Sequence, residues 1–85
     1  MSISEIIDQI KALFTMRTNT IYEVRIVDEK HTSKINIFFE YYKLNHATTS
    51  RQIARLEGNQ HDQIPILVNE IKKQTGLTVT VKENR

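Results

Sequence analysis

The 85-residue chain has no cysteine and no tryptophan, a single proline and only two glycines. Without cysteine there is no disulfide framework, no thiolate zinc site and no cysteine nucleophile. A small secreted domain without such staples would be unusual, so the cytoplasm is the expected compartment. With so little glycine there is also no Gly-rich phosphate loop, nucleophile elbow or dinucleotide fingerprint. No run approaches the 18 or so uninterrupted apolar residues of a membrane span. The N-terminal stretch MSISEIIDQIKALF is not a targeting segment, since Glu5, Asp8 and Lys11 interrupt it and no basic segment precedes it. Nor is a peripheral membrane helix expected, because the polar faces are not rich in lysine. Excess charge of one sign is missing too: 12 basic against 10 acidic side chains leave a net charge of +2. The imbalance is local, with five Lys/Arg against six Asp/Glu in residues 1–42 and seven against four in residues 43–85. An anionic partner is therefore expected on the C-terminal half.

What is present is one alternation of helical and strand patterns, long enough for a single hydrophobic core. Ile3, Ile6, Ile7, Ile10, Leu13 and Phe14 recur at helical spacing and predict a helix over 3–14. Ser2 and Glu5 stand at capping-box spacing, and Met1 and Ile6 are placed for a hydrophobic staple. Residues 15–19 read as a short polar connection. Residues 20–28 (TIYEVRIVD) and 34–44 (KINIFFEYYKL) alternate as a hairpin, with Tyr22, Val24 and Ile26 and then Ile35, Ile37, Phe39 and Tyr41 directed inward. A second helix is expected from 61 or 62 to 75, carrying Ile64, Leu67, Val68 and Ile71 on its apolar stripe. Pro65 falls in its first turn and Gly76 at its stop. Residues 77–82 (LTVTVK) form a last strand with Leu77, Val79 and Val81 inward.

Residues 47–58 (ATTSRQIARLEG) admit either structure. Arg, Gln, Ala, Leu and Glu before a glycine favour a short helix, whereas the threonines and a loose alternation permit a strand. The helix is the preferred reading, giving an α+β fold of order α-β-β-α-α-β with helices on one face of a small sheet. The alternative order is α-β-β-β-α-β.

With that helix, the chain resembles the type II KH fold of RNA-binding proteins, which has the same element order. The likeness is concentrated in residues 50–82, where Gly58-Asn59-Gln60-His61 takes the place of the GxxG loop that clamps a nucleic-acid backbone. Ile64, Leu67, Ile71, Gly76 and LTVTV follow at similar spacing. His61 stands where the second glycine would be, and Glu57 precedes the first. The resemblance implies single-stranded RNA as ligand, with Arg51, Arg55, Gly58, Asn59, Gln60, His61, Lys72 and Lys73 as the residues facing phosphate.

Other readings come from the residues themselves. Phe38-Phe39-Glu40-Tyr41-Tyr42 places aromatics on both faces of one strand, so a protein partner or a second copy is expected on the outer face, anchored by Phe38, Tyr42 and Arg25. Nucleobase stacking is a third use for such rings. A DNA-binding helix-turn-helix over 50–75 is a lesser alternative, opposed by Pro65 and by an apolar opening turn where base-reading side chains should stand. His31, His46 and His61 lack a second histidine at helical spacing, so no metal site is expected. Glu23, Asp28, Glu29 and Glu40 show no pairing suited to acid/base work. The expected function is that of a non-enzymatic binding module without a cofactor.

Overall fold

In the computed structural model, residues 2–14 and 19–84 are described. The elements are α1 (Ile3–Leu13), β1 (Thr20–Glu29), β2 (Lys34–Lys43), β3 (Thr49–Glu57), a 3-10 segment η1 (Gly58–Gln63), α2 (Ile64–Thr75) and β4 (Thr78–Asn84). The strands make one open sheet in the order β3-β2-β1-β4. β1/β2 and β2/β3 are antiparallel, whereas β4 returns through α2 to lie parallel to β1.

Both helices end where the sequence suggests to within a residue, but α2 begins at Ile64 rather than at 61 or 62, because residues 61–63 belong to the 3-10 segment η1. Ser2 Oγ accepts from the Glu5 backbone N–H at 3.2 Å, and Glu5 Oε1 accepts from the Ser2 N–H at 3.3 Å, completing the capping box. Met1, the other half of the expected staple, and the connection 15–18 lie outside the described residues. The hydrogen bonds from Ser2 hold the Glu5 carboxyl below its usual pKa of 4.5. A carboxyl with a depressed folded pKa stabilises the fold above the unfolded value and ceases to do so as pH falls through the folded one. Carbon-detected NMR titration is therefore expected to place the Glu5 midpoint below 4.5. In Ser2→Ala it should return toward the ordinary value. At the other end of the fold, Pro65 occupies the first turn of α2. Gly76 ends that helix at φ 73, a left-handed conformation that glycine adopts without side-chain conflict.

Both helices cover the same sheet face. Ile6, Ile7 and Ile10 of α1 and Ile64, Leu67 and Ile71 of α2 join Val24, Ile26, Ile35, Ile37, Phe39, Ala54 and Leu56 in one buried cluster. The inward strand residues are those that the alternation predicts, with two exceptions toward the sheet ends: Tyr41 and Val81 are each 39% exposed.

The segment 47–58 departs from the preferred reading. It is a strand over most of its length, so the order is α-β-β-β-α-β, with η1 between β3 and α2. The free edge of β2 offers a row of backbone donors and acceptors that a strand satisfies and a helix would not. The inward residues also escape simple alternation, because a bulge opposite Ile37 and Phe38 sets an extra residue, Ile53, into β3. Ile53, Ala54 and Leu56 are all buried as a result. The helix before the Gly58–His61 loop, on which both the KH-like order and a helix-turn-helix rely, is thus replaced by a strand.

Candidate functional site

Three surfaces gather chemistry-bearing side chains. The first is the sheet face opposite the helices, which no helix of the described residues covers. Cross-strand partners point to the same side of a sheet. The register therefore sets Arg25 beside Phe38 and Ile21 beside Tyr42, all on this outer face. Phe38 and Tyr42 are half-buried, while Ile21 is 43% exposed and Leu44, just beyond β2, is 51% exposed. Glu40 lies between the two aromatics on β2 and is itself buried, with Arg25 Nη1 3.8 Å from its carboxylate. Elsewhere on the face several polar and charged side chains pair with one another. Lys34 Nζ donates to both carboxylate oxygens of Glu57 at 2.7 Å. Gln52 Nε2 and Arg55 Nε both donate to Asn36 Oδ1 at 3.1 Å.

The second surface is a cleft of about 470 Å³ at the end of the sheet where β1 begins and β2 finishes. Tyr22, Phe39, Tyr41 and Tyr42 line it with Lys43, His46 and Arg51, and no carboxylate is among its described lining residues. The rings of Phe14, Tyr22, Phe39 and Tyr41 stack in tilted contacts, their centroids 4.9 to 6.1 Å apart.

The third surface is at the opposite end of the sheet. β1, β3 and β4 all run toward it, and each brings a carboxylate there: Asp28 and Glu29 from β1, Glu57 from β3 and Glu83 from β4. Register puts Glu83 directly beside Asp28. His61, carried by η1, closes over them with Nδ1 2.6 Å from Asp28 Oδ2. The turn that positions η1 is unusually close. Ser33, at φ 54, directs its carbonyl to the Gly58 N–H at 2.7 Å. A second cleft, also of about 470 Å³, lies against Asp28, Glu29, Ser33, Glu57, Asn59 and His61.

The residues expected to face phosphate are not brought together. Arg51 pairs with Phe39 on the helix side of the sheet, whereas Arg55 pairs with Asn36 on the outer side. Lys72 and Lys73 are in the last turn of α2, about 14 Å along that helix from η1. Gly58, Asn59, Gln60 and His61 stand at the acidic end, and the His61 side chain, 42% exposed, is engaged by Asp28. The Asp28–His61–Glu83 grouping carries no local sequence signal, since Asp28 and His61 are 33 positions apart. Only the hint that β4 pairs in parallel with β1 would have placed Glu83 near them. Arg25, Phe38 and Tyr42, by contrast, do share one surface.

The chain matches no family model, no curated protein and no solved structure.

Proposed function

We propose that the domain is a non-enzymatic binding module that associates with a second copy of itself through the outer sheet face. One observation carries this reading: Ile21 with Tyr42 and Arg25 with Phe38 stand as two cross-strand pairs, with Glu23 and Glu40 between them, on a sheet face that no helix of the described residues covers. Aromatic and arginine side chains dominate the energetics of protein interfaces when they are desolvated together. The same face carries both signs of charge, with Glu23 and Glu40 beside Arg25, and Glu57 beside Lys34. Such a face is complementary to its own two-fold image, which offers glutamate to each arginine. A nucleic acid, uniformly anionic, would meet those carboxylates unfavourably.

Sedimentation equilibrium is expected to give twice the 10.0 kDa chain mass. Phe38→Ala and Tyr42→Ala should each cost about 2 kcal/mol of association and shift the protein toward monomer with its far-UV spectrum intact. A wild-type chain that stays monomeric at high concentration overturns the reading. If that monomer also binds single-stranded RNA in a salt-dependent way that Arg51→Glu abolishes, the aromatic cleft takes its place.

A further inference from the structure

The geometry points to a divalent transition-metal site at the acidic end of the sheet, with Asp28, His61 and Glu83 as ligands and Zn²⁺ as the class of ion. It is independent of the sheet-face interface. The available ligand atoms of the three side chains all lie within 4.8 Å of one another. Zinc binds imidazole nitrogen and carboxylate oxygen at about 2.0–2.2 Å, so an ion seated among them requires only small side-chain movements.

Three observations beyond proximity favour a cation here. First, the ligands come from three separate elements, β1, η1 and β4, so backbone hydrogen bonding holds at least two of them in place. Second, Asp28 is buried, only 6% exposed, although it is ionisable and stands beside Glu83 in the β1–β4 register. A cation placed among them would interact with both carboxylates at once, as the His61 ring, 2.6 Å from Asp28, does with one of them when protonated. Third, the imidazole already directs Nδ1 into the group, at 2.6 Å from Asp28 Oδ2. A metal ion would replace the proton in that hydrogen bond, releasing it to buffer, with Nδ1 and Oδ2 as two of its ligands.

The donor set also selects among ions. One imidazole with two carboxylates suits zinc and its neighbours in the first transition row, while calcium and magnesium prefer all-oxygen shells. Three protein ligands leave a fourth position for water or a ligand group, and the adjoining cleft, flanked by Glu29, Ser33 and Asn59, leads toward it.

Isothermal titration of the full chain with ZnCl₂ is expected to show one site, and Co²⁺ should give the visible absorption of a low-coordinate nitrogen and oxygen site. Glu83 is exposed, so Glu83→Gln leaves the core untouched. That variant and His61→Ala should each weaken Zn²⁺ binding by about 10- to 100-fold or more. His31→Ala and His46→Ala should leave it unchanged. The site is refuted if wild-type affinity for Zn²⁺ is weaker than about 1 mM. It is equally refuted if Glu83→Gln binds like wild type, or if Ca²⁺ or Mg²⁺ binds more tightly than Zn²⁺. Should His61→Ala fail to fold, Glu83→Gln alone decides.

Discussion

Phe39→Ala is expected to cost about 3–5 kcal/mol and to leave the domain largely unfolded at moderate urea concentration. The side chain is 1% exposed and sits on the inner face, where its ring and those of Tyr22 and Tyr41 form a triangle with centroids about 6 Å apart. Removing it opens a cavity that flanking strands, fixed by their ladders, have little freedom to fill. Since a domain of this size has a total stability of about 5–15 kcal/mol, the loss is a large share of the whole. The adjacent residue is the control. Phe38 is only half-buried and faces the other side, so Phe38→Ala should cost less than about 1.5 kcal/mol in the monomer. Equilibrium urea denaturation of both variants checks the pair, and equal losses would contradict the assignment of faces.

Gly58→Ala should be the more costly of the two glycine replacements, at about 1–3 kcal/mol. A Cβ at Gly58 would lie 2.9 Å from the Ser33 carbonyl oxygen and 3.1 Å from its carbon, both backbone atoms that cannot swing aside. The contact is needed because the Gly58 N–H donates to that same oxygen, tying the β1–β2 turn to the end of β3. Gly76 presents the opposite situation. Nothing lies within 4 Å of its Cβ position, and its φ of 73 is the sole objection, so Gly76→Ala should cost about 1 kcal/mol. Thermal denaturation distinguishes the two. In the sequence Gly58 reads as the opening of a backbone-clamping loop; the close approach to Ser33 gives it a purely structural reason to be glycine.

Elements whose pattern is local were legible in the sequence. α1 shows helical spacing and a capping box, the β1–β2 hairpin alternates over ten-residue strands, and α2 ends at Gly76. β3 was not legible, because its residues are good helix formers and its burial follows a bulge rather than a period of two. What decides its conformation is the unpaired edge of β2, which the local sequence does not display. The same limit governs the sites. Phe38 and Tyr42 share a strand, so the alternation assigns them to one face, and Arg25 joins them once the hairpin is paired. The meeting of Asp28 with Glu83 depends instead on a parallel crossover, and that of Asp28 with His61 on η1 folding back over the strand ends. Long-range pairings of this kind leave no spacing to read.

The bulge at Ile53 bears on how copies of this molecule are able to meet. An open four-stranded sheet has two unpaired rims, β3 and β4, and a copy docking β4 against the β3 of another repeats the same contact without end. An extra residue twists β3 out of a flat, regular ladder, and the strand's first half, Thr49–Gln52, is exposed and polar. One spoiled rim is enough to stop such growth, since every link in the series uses both. A meeting of sheet faces has no such requirement and is complete at two chains.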